Sequence, residues 1–214
     1  MNNEQTQLIA EKRASACNPD GRLKPAPPLF ASLGRRIAVI GMTASGKSTL
    51  ARYLARLLGV PHIELDGIVH GPNWVDLPDA EFHARTAEAL SGDGWVVDGN
   101  YSAVRDLTIG QAETVIWLDY PIIVPLWRVF PRTVRRIVKK EELWNGNRER
   151  WRGALFGRDS LVVWILKMHR VRRREFDAVF NAPEHAHRTL VRLRSPRAAT
   201  RWLSALNARA DLSG

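Results

Sequence analysis

The segment GMTASGKSTLA, residues 41–51, decides the fold class of this chain of 214 residues. Gly41, Gly46, Lys47 and Ser48 satisfy the spacing G-x-x-x-x-G-K-[ST], whose glycines let successive backbone N–H groups point at a phosphate. The apolar run RIAVIG before it predicts a buried strand, and KSTLARYLARLLG after it predicts a helix with leucines on one face. This succession of strand, loop and helix indicates a Walker A phosphate loop, and hence nucleotide binding.

Some loop residues are expected to bind the phosphates, and one is expected to bind a metal ion. Lys47 is expected to reach the outer phosphates of ATP, and the Ser48 hydroxyl to bind Mg²⁺. The predicted cofactor-binding residues of the loop are Gly41, Thr43, Ala44, Ser45, Gly46, Lys47, Ser48 and Thr49. The N-K-x-D motif of GTPases is absent from the sequence, which argues against that class.

Apolar strands alternate with amphipathic helices over residues 35–210, which predicts one α/β domain, a three-layer P-loop NTPase fold with a parallel sheet. After the first strand, four more are predicted at VPHIEL, GWVVDG, TVIWLD and RTLVRLR. A helix is expected over DLPDAEFHARTAEAL, with Asp76 as its cap and Pro78 in its first turn; Ser195-Pro196 opens the last helix. About 70 residues separate strands four and five, which predicts further helices and a lid insertion at about 139–159.

The first 34 residues, the longest apolar run and the single cysteine indicate where in the cell the protein resides. Residues 1–34 are polar, lack periodicity and contain PAPP, so they predict a flexible tail without a signal peptide. The longest apolar run, LVVWIL, is too short to span a bilayer, and the single Cys17 cannot form an internal disulfide. We expect a cytoplasmic protein without a membrane partner.

The net charge of +10 is unevenly distributed along the chain. Residues 41–120 hold 5 Lys and Arg against 11 Asp and Glu, whereas residues 121–201 hold 20 against 7. A basic half is typical of a solvated face or a nucleic-acid patch. The alternative is that acidic residues hold metal and acceptor while arginines from the second half close over phosphates.

Carboxylates end three of the predicted strands. Asp98 ends WVVD and is our choice for the magnesium shell, while Asp119 after VIWL is the weaker candidate and fits a cap or turn. Glu64 and Asp66 are two residues apart in IELDG, so they are expected on one face of strand two. Asp66 at this sheet edge could orient or deprotonate an acceptor hydroxyl; a plain turn before Gly67 is the alternative.

A stripe of basic residues follows the fourth strand. Its members recur at steps of three and four: Arg128, Arg132, Arg135, Arg136 and Lys139. The opposite, apolar face is expected to contain Leu126, Phe130, Val134 and Val138. Pro131 is expected to kink or restart this helix. Arg132 and Arg136 are our first choices for neutralising phosphate charge in the transition state.

Several of these segments resemble the bacterial P-loop proteins related to adenylate kinase that are often labelled DNA topology modulation protein (FlaR-like). The matching segments are the phosphate loop through IELDGI, WVVDGNYS, TVIWLDYP, LWRV with RTVRR, and RLRSPRAATRWL, from about residue 36 to residue 206. The resemblance implies a nucleoside-monophosphate-kinase-like sheet of order 2-3-1-4-5, an acceptor region after strand two and an arginine-bearing lid. It implies no particular acceptor.

The sequence departs from true adenylate kinases after the third strand. Those proteins carry D-G-[FY]-P-R there, and the arginine holds a monophosphate. Here Asn100, Tyr101 and Ser102 follow Asp98-Gly99, and the nearest arginine is Arg105. These residues are the candidate acceptor contacts, and neutral groups suit hydroxyls or a base edge better than phosphate. By the same resemblance, Arg194 is a candidate for stacking on adenine.

We therefore predict an ATP- and Mg²⁺-dependent phosphotransferase that acts on a nucleotide, a nucleoside or another small hydroxylated or phosphorylated acceptor. The predicted catalytic residues are Lys47, Asp66, Asp98, Arg132 and Arg136. The alternative is a nucleotide-gated ATPase that binds nucleic acid through its basic half. The sequence leaves the acceptor open and is compatible with a monomer or a homodimer.

Overall fold

Five parallel strands form the central sheet in the order β2-β3-β1-β4-β5, which confirms the predicted fold class and strand order. This computed structural model describes residues 33–149, 160–185 and 187–210. Most of the predicted tail, including Cys17, and part of the predicted lid insertion lie outside these ranges. The strands are β1 (Arg36–Gly41), β2 (His62–Glu64), β3 (Trp95–Asp98), β4 (Thr114–Leu118) and β5 (Thr189–Leu193).

Helices cover both faces of the sheet. They are α1 (Lys47–Leu58), α2 (Leu65–Val69), α3 (Asp79–Ala89), α4 (Arg105–Thr108), α5 (Ile123–Val138), α6 (Leu161–Asn181) and α7 (Pro196–Ala210). Short 3₁₀ turns lie at Pro72–Trp74, Ser102–Val104, Trp144–Gly146 and Pro183–His185. None of the helices within the described ranges is long and apolar enough to cross a membrane.

The side chains of β1 explain why its sequence is apolar without interruption. Ile37 and Val39 belong to one core cluster, with residues of α1 and α7, and Ala38 and Ile40 belong to the cluster on the opposite face. A strand buried on both faces needs apolar residues at every position. This burial fixes β1 in the middle of the sheet, where its carboxyl end delivers the phosphate loop.

Two local predictions were wrong around β2 and α3. The strand ends at Glu64, and Asp66 lies in the first turn of α2, so the two carboxylates do not share a strand face. The next helix begins at Asp79 with Pro78 as its N-cap residue. Asp76 does not cap it, because its carboxylate is 2.6 Å from the Nδ1 atom of His70.

The rotation of α5 also differs from the prediction. Its buried residues include Val129 and Thr133, whereas Phe130 and Val138 are 57% and 69% exposed. Val129 packs with Met42 of the phosphate loop and Ile165 of α6, so tertiary contacts choose a stripe one residue away from the predicted one. The helix passes through Pro131 without restarting.

Candidate active site

The phosphate loop joins β1 to α1 through a backbone that few residue types adopt easily. Gly41 and Gly46 have φ angles of 150° and 100°, and Ala44 has 58°. A Cβ atom at Gly41 would lie 2.9 Å from the carbonyl oxygen of Leu118, so the close approach of β1 to β4 requires glycine. Such a backbone, followed by a helix N-terminus, is suited to an anion.

Lys47 places a partly buried positive charge at this loop. Its Nζ atom donates a hydrogen bond to the Met42 carbonyl at 3.2 Å. Burial lowers the pKa of Lys47, while the nearby carboxylates of Asp66 and Asp98 raise it and Arg132 lowers it. Lys47 therefore lies within electrostatic reach of two carboxylates and a second cation, an arrangement that can hold a phosphate between cations.

Asp98 connects the loop to β2. Its Oδ1 atom accepts a hydrogen bond from the Ser48 hydroxyl at 3.0 Å, and its Oδ2 atom lies 2.7 Å from Nε2 of His62. Asp98 is buried, and the ligand atoms of His62, Glu64 and Asp98 all lie within 4.8 Å of one another. The hydroxyl and carboxylate oxygens are the hard ligands that Mg²⁺ prefers, so Ser48 and Asp98 fit a metal shell.

The residues after Asp98 separate into different environments. The side-chain amide of Asn100 hydrogen-bonds both the N–H and the C=O of Gly41, so it connects the exit of β3 to the phosphate loop. Ser102 is exposed at the rim of a hollow of about 390 Å³. Arg105 lies 3.5 Å from Glu175 of α6. Of this predicted acceptor set, Tyr101 is the residue whose hydroxyl contacts Asp66.

Asp66 occupies the centre of the expected acceptor region. Its Oδ1 atom accepts a hydrogen bond from the Tyr101 hydroxyl at 2.7 Å. That hydroxyl is also 3.4 Å from Nε2 of His70. Burial, followed by the charge of Asp66, raises the pKa of Tyr101, so its phenol stays protonated near neutral pH. The bond orients one carboxylate oxygen of Asp66.

Helix α5 brings a row of arginines toward the phosphate loop. Arg128 donates to the Ser45 carbonyl at 2.8 Å, and Arg136 pairs with Glu149 at 2.6 Å. Between them, the Nε atom of Arg132 is buried with no hydrogen-bond partner among the residues that the structure describes. Burial lowers the pKa of Arg132 most and Arg136 lowers it further, while Glu149 and Asp66 raise it. Arg132 is thus the guanidinium best placed for an anionic ligand.

A short loop after α5 covers the segment after β2. We call residues 143–149 the lid loop and residues 65–75 the acceptor segment. The indole N–H of Trp144 donates to Glu64 at 3.0 Å. The amide of Asn145 donates to the His70 carbonyl at 2.6 Å, and that of Asn147 to the Gly71 carbonyl at 2.9 Å. The lid loop is therefore bound to the acceptor segment by side chains that belong to no sequence motif.

The residues that tie the acceptor segment to the lid loop follow no sequence motif. Asn145 and Asn147 meet the carbonyls of His70 and Gly71 only because the chain returns across the acceptor segment. Arg128 was detectable, since it belongs to the predicted stripe one helical turn before Arg132. Arg194, the predicted adenine contact, follows β5 and is exposed.

Other arginines of the basic half are used in ion pairs away from the phosphate loop. Asp119 is buried directly after β4, and its carboxylate binds both Arg173 and Arg192. The Arg192 guanidinium also lies over the Trp117 ring, 4.1 Å from its centroid. Asp119 therefore anchors α6 and β5, a role beyond the cap or turn expected from the sequence.

Curated proteins with similar sequences are kinases. The chain is 34% identical over 123 residues to a shikimate kinase of Halorhodospira halophila, an alignment that covers 50% of this chain and 69% of that protein. The chain belongs to the shikimate kinase family. A shikimate kinase of Rhodopseudomonas palustris is 30% identical over 135 residues, which cover 56% of this chain and 66% of that protein. No protein-family model matches the chain.

Solved structures give more distant matches. A shikimate kinase from Acinetobacter baumannii in complex with shikimate is 18% identical, with a TM-score of 0.47, 87% coverage of this chain and 98% of that chain. A gluconokinase from Sinorhizobium meliloti is 20% identical, with a TM-score of 0.45, 85% coverage of this chain and 94% of that chain. The family membership and the phosphate loop make this protein an ATP-dependent small-molecule kinase with an adenylate-kinase-like fold.

Proposed function

We propose that this protein transfers the γ-phosphoryl group of ATP, with Mg²⁺, to a hydroxyl group of a small acceptor that also has a carboxylate or similar anionic group. The observation that carries the proposal is the grouping of Lys47, Asp66 and Arg132. A carboxylate suits the reacting hydroxyl, and two partly buried cations suit the transferred phosphoryl group and an acid group on the acceptor.

Each group then has a distinct task. Lys47 and the loop amides bind the outer phosphates, while Ser48 and Asp98 hold Mg²⁺, which neutralises charge on the phosphate oxygens. Asp66 orients the acceptor hydroxyl and takes its proton. Arg132 neutralises the transferring group or the acceptor's anionic group. Arg136 supports the arginine row through Glu149, and Arg194 remains our proposal for adenine stacking.

The acceptor is expected to be smaller than a nucleotide. Arg105 is engaged by Glu175, which weakens the case for a nucleoside monophosphate. The lid loop covers the acceptor segment, and Gly67 contacts the Trp144 indole so closely that little room remains between them. Because the family is named for shikimate, a hydroxylated ring acid of that kind is the first acceptor to test.

We propose that the DGNYS and LDYP segments relate this chain to the adenylate-kinase-like proteins labelled DNA topology modulation protein (FlaR-like). The alternative function, a nucleotide-gated ATPase that binds nucleic acid through its basic half, is weakened because Arg173 and Arg192 are paired with Asp119.

Phosphorus NMR of the full chain with Mg-ATP tests the proposed activity. We expect a new phosphoryl ester signal with shikimate, or with gluconate as a second hydroxy acid, and none with AMP or adenosine. Lys47→Met is expected to abolish the product, whereas Lys167→Met, which changes an exposed lysine of α6, is expected to retain it. ATP hydrolysis that no acceptor alters and that DNA stimulates would contradict the proposal and favour the nucleic-acid function.

A further inference from the structure

Four polar side chains form a continuous row from Asp66 to the protein surface. The Tyr101 hydroxyl donates to Asp66 at 2.7 Å and lies 3.4 Å from Nε2 of His70. The Nδ1 atom of His70 is 2.6 Å from Oδ1 of Asp76. The Asp76 side chain is 61% exposed and lines the hollow of about 390 Å³ beside Tyr101. The partly buried Asp66 carboxylate is thereby connected to the surface through two groups that can pass protons.

The backbone holds His70 and Asp76 opposite each other. They form an antiparallel bridge, flanked by hydrogen bonds from Leu77 N to the Val69 carbonyl at 2.9 Å and from Gly71 N to the Val75 carbonyl at 2.8 Å. The histidine–carboxylate distance is therefore fixed by the chain on both sides. A surface ion pair between freely moving side chains lacks this support.

The aromatic surroundings of His70 restrict its ring. Its centroid lies 5.5 Å from the Trp74 ring, 6.4 Å from Tyr101 and 6.4 Å from Trp144, and Asn145 binds its carbonyl. Tyr101 is itself packed edge-on against Phe82 at 5.3 Å. Rings held in this way keep the imidazole Nε2 atom directed toward the phenol.

The proposed kinase reaction releases a proton at Asp66, and a second turnover requires Asp66 to lose it. We propose that His70 is a positioning and relay residue for this reaction, which accepts the proton from Asp66 through Tyr101 and is held by Asp76. This inference rests on the proposed function, because it assumes that Asp66 receives the proton of an acceptor hydroxyl.

Each bond and proton lost by one group in this step is gained by another. The acceptor oxygen bonds to the γ-phosphorus, the bond from that phosphorus to the bridging oxygen breaks, ADP leaves, and Asp66 takes the hydroxyl proton. Asp66 then gives this proton to the Tyr101 oxygen while Tyr101 gives its own proton to Nε2 of His70. Asp66 is again a carboxylate and Tyr101 again a phenol. His70 is an imidazolium beside Asp76 and returns its proton to water.

Three elements and the lid loop place charged and neutral groups around His70. The elements packed against it present Asp66 from α2, Asp76 from the turn before α3, and the neutral Tyr101 after β3. The lid loop contributes neutral side chains, Trp144 and Asn145. Asp76 lies against Nδ1 of His70, and Asp66 lies beyond the Tyr101 hydroxyl on the Nε2 side. Tyr101 does not ionise near neutral pH because its pKa is raised.

Nitrogen-15 NMR of the histidine rings tests the row without any acceptor. We expect neutral His70 to carry its proton on Nδ1, because that atom faces Asp76, and its Nε2 atom to be free to accept. Asp76→Asn is expected to weaken this preference. His83, which faces Asp106 through Nε2 at 2.9 Å on the exposed surface, provides a second histidine–aspartate pair for reference. A neutral His70 protonated on Nε2 would overturn the relay.

Kinetics with the acceptor that the proposed-function assay identifies give the second test. Tyr101→Phe and His70→Gln are expected to lower kcat about tenfold, the low end of general acid–base effects, with little change in the affinity for ATP. His70→Gln should also alter the dependence of kcat on pH, because the relay passes its proton through the imidazole. The matched controls, Tyr53→Phe and His83→Gln, are expected to match the wild type.

The outcomes separate the relay from the kinase proposal. A wild-type protein that phosphorylates no acceptor contradicts the proposed function, and the relay with it. An active wild type whose rate and pH profile are unchanged by both His70→Gln and Tyr101→Phe overturns the relay alone. Thermal melting of each variant identifies any loss that reflects unfolding.

Discussion

The contact between Gly67 and Trp144 gives the sharpest test of how the lid loop is held. A Cβ atom added at Gly67 would lie 2.7 Å from Cδ1 of Trp144, 0.7 Å short of the 3.4 Å at which ordinary contacts begin. The backbone of Gly67 has no left-handed φ, and it lies within α2. In Gly67→Ala, therefore, the indole has to move.

Moving the indole weakens its hydrogen bond to Glu64, and the free energy of that bond can be assigned. The Trp144 N–H donates to the Glu64 carboxylate at 3.0 Å, and a bond to a charged group is worth about 1.5–3 kcal/mol. We take about 1.5 kcal/mol, because Arg52 still pairs with Glu64 at 2.8 Å after the loss. Opening of the lid loop should then become about tenfold more frequent. The free energy of global unfolding should change little, because alanine is more favourable than glycine within a helix by about 1 kcal/mol, which offsets part of the lost hydrogen bond.

Amide hydrogen exchange at Trp74 measures this opening directly. Its N–H donates to Oδ1 of Asn147, so it exchanges only when the lid loop separates from the acceptor segment. We expect about tenfold faster exchange in Gly67→Ala. The Trp95 amide, which donates to the Arg35 carbonyl in the sheet, should exchange at its wild-type rate.

A double-mutant cycle completes the test. Trp144→Ala alone should also accelerate Trp74 exchange, and Gly67→Ala should add almost nothing in that background, because the clashing ring is gone. Additive effects of the two substitutions would refute the reasoning. So would unchanged Trp74 exchange in a Gly67→Ala protein with native-like melting.

Three further predictions concern charged residues. Lys47→Met should abolish ATP binding in calorimetry. Because burial lowers the pKa of Lys47 in the folded state, the unfolding free energy should rise with pH below 10.5 in the wild type, and this rise should be smaller in the variant by urea titration at several pH values. Asp119→Asn should cost about 3 kcal/mol in urea unfolding, since Arg173 and Arg192 lose their shared buried partner; a loss below about 1 kcal/mol would contradict the anchoring role. Arg132→Met should raise KM for an anionic acceptor at least tenfold while leaving ADP affinity within twofold, and the reverse pattern would assign Arg132 to the nucleotide.

The fold was largely predictable because its signals are local. The run RIAVIG, the glycine spacing of the phosphate loop and the leucine stripe of α1 each lie within a dozen residues. Their order fixes a strand, a phosphate-binding turn and a helix before any distant contact is considered. The position of β1 in mid-sheet follows from its apolar residues on both faces.

The errors occurred where neighbouring elements decide between close alternatives. The sequence of α5 allows two apolar stripes one residue apart, and contacts with Met42 and Ile165 select the one that includes Val129. Likewise, Asp76 is a good helix cap by composition, but the chain reversal between Val69 and Leu77 places it against His70. The helix begins only at Asp79, with Pro78 at the N-cap position, so Asp76 lies two residues too early to cap it.

The amino-acid sequence by itself determined that this protein has a phosphate loop between a buried strand and a helix, with Lys47, Ser48 and Asp98 at its centre. Only the tertiary structure decided what surrounds Asp66: the row of Tyr101 and His70, and the lid loop above it. Trp144 and Glu64 are 80 residues apart in the chain, and their contact depends on the path between them. Local periodicity limits which faces of an element can be buried, but it contains no information about which distant side chain a buried face will meet.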